Sequence, residues 1–206
     1  LASSRFVAWW CPCDNSSRDV YCHVLLGRDK LFRHMHGEGL AMAPSNVYYA
    51  SSASGWDYSS DATGEPDGKY AREINKESQT KYMSTGNFGI SSANIPAKAV
   101  IKRVTIRSKV YNSGPDMSVG IVGRIGSTDQ GTYVTTSNWS VLPIGTVITK
   151  AYSSGDLLTL SNLANGTFTV MVRGVLPAGG GTNYCDYVEV TVDYELPMGI
   201  EMGCVF

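Results

Sequence analysis

The side chains able to do chemistry fall into three groups, and no group forms a complete catalytic set. Asp57, Asp61, Glu65 and Asp67 crowd carboxylates into one short stretch. Calcium takes about six to eight hard oxygens, so such a stretch could hold it, with Asp67 at the turn Asp67-Gly68 as the central ligand. A tight loop with solvated acids is the preferred reading of the same residues, since spacing alone fixes no coordination shell. The second group is His34-Met35-His36, which puts two imidazoles on one side of an extended strand, with Cys11-Pro-Cys13 and Cys22-His23 as further soft ligands. Zinc accepts such donors, but the spacing matches no familiar structural zinc motif, and surface histidines are the preferred explanation. The chain has five cysteines, an odd number, so at least one stays unpaired within it. Cys11, Cys13, Cys22 and Cys204 could instead bridge neighbouring subunits in an oxidising exterior.

The third group is aromatic. Trp56, Tyr58, Trp139, Tyr152 and Tyr184 offer flat apolar area with a polar handle, which suits stacking on sugars. Core packing is the expectation for Trp56 and the default for Trp139. Tyr184 adjoins the Gly-rich loop Pro177-Ala-Gly-Gly-Gly-Thr-Asn183, so Tyr184, Asn183 and Trp139 are the expected ligand-contact residues. Catalysis is not expected. No Gly-x-Ser-x-Gly elbow occurs, all three histidines lie in the first 45 residues, and Asp186 and Glu189, three apart on a strand, should face opposite ways.

The elements that would carry these residues are strands. In Val100 to Tyr111 apolar Val104, Ile106 and Val110 alternate with Arg103, Thr105, Arg107 and Lys109; Val188, Val190, Val192 and Tyr194 do the same against Tyr187, Glu189, Thr191 and Asp193. That is the period of a strand with one dry face. Similar signals at Asn46 to Ser51, Lys81 to Met83, Ser118 to Gly123, Tyr133 to Thr136, Thr146 to Ala151, Leu157 to Leu160 and Thr167 to Val175 give about eight or nine strands between Gly, Pro, Asn and Ser clusters, the signature of an all-β domain. Charged residues reach only 17% of the chain while Gly numbers 22 and Tyr 12, which disfavours long solvated helices. A net charge of −1 argues against a nucleic-acid binder. Arg103, Arg107 and Lys109 share one strand face and read as the outer side of a sheet. No apolar run approaches a membrane span, so a soluble protein is expected.

The first 45 residues differ in texture, with three of the cysteines and short apolar runs at Phe6 to Trp10 and Val20 to Leu26. They predict a small hairpin arm at 1–45, ahead of a sandwich at 46–197 and a tail at 198–206. Two or three short strands cannot bury Phe6, Trp9, Trp10, Leu25, Leu26 and Phe32 among themselves, so the arm is expected to pack on neighbouring chains in a symmetric oligomer such as a trimer.

Read in order, Ser54-Gly-Trp-Asp57, Glu65-Pro-Asp-Gly-Lys-Tyr-Ala71, Gly86-Asn-Phe-Gly89, Ile95-Pro-Ala-Lys-Ala-Val-Ile-Lys-Arg-Val-Thr-Ile106 and Cys185-Asp-Tyr-Val-Glu-Val-Thr-Val-Asp-Tyr194 resemble the jelly-roll β-sandwich module of tailed-bacteriophage structural proteins, over about Trp56 to Tyr194. The resemblance implies an all-β jelly-roll sandwich of about eight strands, preceded here by the Cys-rich β arm, with its first and last strands as neighbours. It further implies a virion component of fibre, tail or capsid-decoration type, with other virion proteins as partners. The Asp-Gly pattern around Asp67 is similar to that of galactose-binding-like sandwiches with a structural calcium, and His34-x-His36 is similar to the metal-binding pair of trimeric phage fibres. The alternative reading, from another class, is a carbohydrate-binding module or adhesin that takes a cell-surface glycan.

Overall fold

The computed structural model describes residues 46–75, 78–137, 140, 142–164 and 166–196. The arm at 1–45 and the tail at 198–206 lie outside them, and with them His34, His36, Cys11, Cys13, Cys22 and Cys204.

Among the described residues the chain makes two antiparallel sheets. The strands, in chain order, are β1 Asn46–Tyr49, β2 Ser52–Ser54, β3 Ala71–Asn75, β4 Gln79–Gly86, β5 Val100–Asn112, β6 Ser118–Ile125, β7 Thr128–Asp129, β8 Val134–Thr136, β9 Thr146–Tyr152, β10 Phe168–Leu176 and β11 Gly181–Glu195. The first sheet runs β1-β11-β5-β9, with β3 also on β11; the second runs β2-β4-β10-β6-β7, with β8 on β6. The β5–β6 and β10–β11 connections therefore cross from one sheet to the other. This is the expected all-β sandwich, and its first and last strands pair, Asn46 opposite Val192 and Tyr49 opposite Glu189.

The alternating valines and isoleucines explain the layering. Val104, Ile106 and Val110 of β5 and Val188, Val190 and Val192 of β11 are wholly buried, facing Val119 and Ile121 of β6 and Val170 and Val172 of β10. Each such side chain removed from water contributes about 1.5–3 kcal/mol before entropy is set against it. Trp56 joins this core as expected. Gly123 faces it too, and a Cβ there would meet Leu157 Cδ1, Ile106 Cδ1 and the Tyr152 hydroxyl at about 3 Å, so only a bare backbone lets these three approach.

Three details depart from the sequence reading. Leu157 to Leu160 is not a strand; 3-10 helix Asp156–Leu158 leads into a one-turn helix Leu160–Leu163, which buries Leu157 and Leu163 together. An apolar run of four residues cannot distinguish the two periods. Conversely β2 and β3 carry too few apolar residues to announce themselves, and β3 places Glu73, not an apolar side chain, on the dry face. Lastly, the β11–β5 register slips between Cys185 and Tyr187, leaving Asp186 as an extra residue in a bulge. Asp186 Oδ2 consequently reaches Tyr111 Oη and Lys109 Nζ, on the same outer face where Arg107 holds Glu189. Asp186 and Glu189 are therefore not on opposite faces, because the bulge resets the parity.

Candidate functional site

The outer surfaces of the two sheets differ in how their charges are met. On the first sheet, Arg107 pairs with Glu189 at 2.9 Å, Lys102 with Glu195 at 2.9 Å and Lys109 with Asp186 at 3.9 Å. Tyr111 donates to Asp186 Oδ2 at 3.5 Å and to the Pro143 carbonyl at 3.2 Å. Its ring lies so close to Gly145 that a Cβ there would stand 2.6 Å from Cε1, and burial pushes its hydroxyl pKa upward. Burial also raises the Asp186 carboxyl, against the lowering by Lys109 and Tyr111. The basic face of β5 is thus the outer side of a sheet, as expected, with Lys102, Arg107 and Lys109 matched across the strand to acids of β11 and Arg103 exposed.

On the second sheet, alternation along β4 turns Tyr82, Ser84 and Gly86 outward while Met83 and Thr85 are buried. Opposite them on β10 stand Arg173, Met171 and Thr169. A cleft of about 200 Å³ opens at one end, lined by Ser52, Ser54, Ser84, Gly86, Asn87 and Thr169 among others. These small side chains leave space and bring hydroxyl and amide groups to it. At the other end of the strip the Arg173 guanidinium lies over the Tyr133 ring, 4.6 Å from its centroid. Tyr82 stands beside Tyr133, centroids 6.5 Å apart, with its side chain 48% exposed, enough to offer a ring to a ligand. Arg173 Nε and Tyr133 Oη are both shut from solvent, and neither has a hydrogen-bond partner among the described residues. Burial raises the Tyr133 hydroxyl. From Tyr82 to Gly86 the strip measures roughly 13 Å at the rise of an antiparallel strand.

Of the residues expected at a ligand site, Tyr184 lies on the outer face of the first sheet, edge-on to Tyr70 at 6.3 Å and opposite Arg72 of β3. Asn183 is a correction. It points inward, fully buried, and its Nδ2 donates to Glu73 Oε2 at 2.8 Å, because it is the next residue along an alternating strand. Trp139 lies outside the described residues. Asp67 sits in the tight turn preferred for it: its Oδ1 accepts from the Lys69 amide at 2.9 Å and its Oδ2 pairs with Lys69 Nζ at 3.2 Å. Among the described residues no three His, Cys, Asp or Glu side chains converge as metal ligands. Cys185 is buried against Ser108 Oγ at 3.3 Å, and burial pushes its thiol up to about 12, which favours the thiol over the thiolate. Sequence reasoning missed Arg173, though a signal existed. It is the lone charge in the otherwise apolar and small run Phe168–Leu176.

A scan against protein-family models finds no match, and a comparison with curated proteins finds none either. Among solved structures the chain is similar to TmCBM61, a carbohydrate-binding module solved with beta-1,4-galactotriose, at 11% identity and a TM-score of 0.38 over 72% of this chain and 88% of that one. It is similar to the C-terminal CBM6 of LamC from Zobellia galactanivorans at 13% identity and a TM-score of 0.36, over 71% of this chain and 98% of that one. It is similar also to the PRD1 vertex protein P5, at 16% identity and a TM-score of 0.28, over 73% and 87%.

Proposed function

We propose that the sandwich is a carbohydrate-binding module that takes a sugar chain along the outer face of its second sheet and does not turn it over. The observation that carries this reading is the strip itself: an exposed Tyr82 ring at one end, a hydroxyl-lined cleft at the other, and Ser84 opposite a nearly buried Met171 between. A pyranose presents one face of C–H bonds, which suits the negative face of an aromatic ring, and a rim of hydroxyls, which suits Ser, Thr and Asn. Pockets with a few convergent polar groups are the default sites for small ligands. A glycan array on the full chain, with Tyr82→Ala and Tyr184→Ala as paired variants, tests it. Binding lost in Tyr82→Ala and kept in Tyr184→Ala supports the reading. No binding to any glycan, or binding lost only in Tyr184→Ala, counts against it.

The finer reading is that this module is displayed on a virion of a tailed bacteriophage, with the segment 1–45 as its anchor and a symmetric oligomer as its working form. Asn46 pairs with Val192, so the strands joined to 1–45 and to 198–206 meet at one end of β11, whereas Tyr184 lies eight residues away, roughly 26 Å along the strand. Such a module can be held at one end and exposed at the other. Deleting Leu1 to Pro44 should leave a folded sandwich that no longer joins its assembly, read by native mass measurement. Normal assembly of the truncated protein would remove the anchor role.

A further inference from the structure

We infer that the ligand of this face carries a carboxylate, as a uronic-acid sugar does, and that Arg173 receives it. The inference rests on the carbohydrate reading above and adds the ligand's charge. Among the described residues no carboxylate pairs with Arg173, whereas Arg107 has Glu189 at 2.9 Å and Arg124 has Asp129 at 2.6 Å; Arg72 and Arg103 also have none, but they are exposed to water. Arg173 is also half-buried and stacked on Tyr133, which holds the guanidinium plane in place. A cation taken partly out of water without a counter-ion is costly, and here two neighbouring polar atoms, Arg173 Nε and Tyr133 Oη, also go without partners among the described residues. Since Arg173 Nε and Tyr133 Oη are shut from solvent, a ligand carboxylate would meet the terminal N–H groups of the guanidinium and supply the missing counter-ion there, through the paired N–H···O bonds in which Arg exceeds Lys. Tyr82 offers a ring beside it for the sugar that bears the acid. The net charge of −1 is no obstacle, since the salt-screened field beyond about 8–10 Å contributes little.

The test uses the full chain and three probes of equal length: a uronic-acid oligosaccharide, the same oligosaccharide with its carboxyls reduced to primary alcohols, and a sulfated neutral oligosaccharide. Calorimetric titration should find the uronate bound at least about tenfold more tightly than its reduced form, a charged hydrogen bond's usual effect. Arg173→Met should erase that preference, and Arg173→Lys should restore part of it, keeping the charge but losing the fork. Unfolding midpoints near wild type for both variants keep a folding defect from mimicking the result. Equal binding of uronate and reduced forms, with Tyr82→Ala still lossy, overturns the inference and leaves the carbohydrate reading standing. A sulfate preferred to the carboxylate also overturns it. No binding of any probe overturns both.

Discussion

The two outer faces of this sandwich are built from the same kind of strand yet finish differently. On the first sheet, Arg107, Lys109 and Lys102 each meet an acid of β11 or its end, and Gly145 lies close over Tyr111. On the second, Arg173 lies over Tyr133 and opposite Tyr82 with no acid paired to it among the described residues, and a cleft lies farther along β4 and β10. A face whose charges answer one another serves stability. A face with a half-buried cation, an exposed ring and room for a ligand is the one on which the proposed site rests.

The largest effect should come from the link between the sheets. Glu73 of β3 accepts from the Lys81 amide of β4 at 3.1 Å and from Asn183 at 2.8 Å, wholly buried. Glu73→Ala should cost about 2–4 kcal/mol in urea unfolding, since it leaves a cavity, strands the Lys81 amide and leaves Asn183 Nδ2 only its longer bonds to the Ser118 and Val175 carbonyls. Burial lifts the Glu73 carboxyl above its usual 4.5, so the folded state keeps the proton to higher pH than the unfolded chain. Its contribution is therefore full below about 4.5 and declines as pH rises through the folded value. Glu73→Gln should flatten that slope, and the gap between variant and wild type should move in the variant's favour from pH 4 to pH 8. An unchanged slope would mean that Glu73 is not the titrating link.

Lys109→Ala probes the compensated face. It removes the cation from a nearly buried Asp186, whose Oδ1 already lacks a partner, and should cost about 1–2 kcal/mol at pH 7 while leaving glycan affinity alone. The partnership exists only while Asp186 is ionised, so the cost should shrink as pH falls through its raised pKa. A constant cost from pH 7 to pH 4 would assign Lys109 a packing role only.

The smallest shift is also the most telling in sign. Arg173→Met should leave stability unchanged or raise it by about 0.5 kcal/mol, because no ion pair is lost and an unanswered charge is removed. A loss above about 2 kcal/mol would mean that Arg173 is part of the scaffold after all.

These contrasts explain what the sequence could show. The alternation in β5 and β11 made the sandwich and its buried valines legible, because period two needs only local residues. The bulge at Asp186 was not legible, since one inserted residue changes facing without changing composition, and it carried the acids to the same face. Asn183 fell to the same arithmetic: one step from Tyr184 on a strand is a step from outside to inside. The cleft gathers Ser52, Gly86 and Thr169 from three strands far apart in the chain, and small polar residues look like turn residues wherever they stand. Arg173 was visible as a lone charge, but its want of a partner is a property of the folded neighbourhood.

The central claim is that a ligand sits on the second sheet and not on the first. Its most direct test is a titration of the isotope-labelled full chain with the uronate oligosaccharide, followed by amide and side-chain NMR shifts. The account predicts perturbations that begin at Tyr82, Ser84, Gly86, Thr169 and Arg173 and leave Tyr184, Tyr187 and Glu189 unmoved. Shifts centred on Tyr70 and Tyr184, with Tyr82 and Arg173 silent, would contradict it.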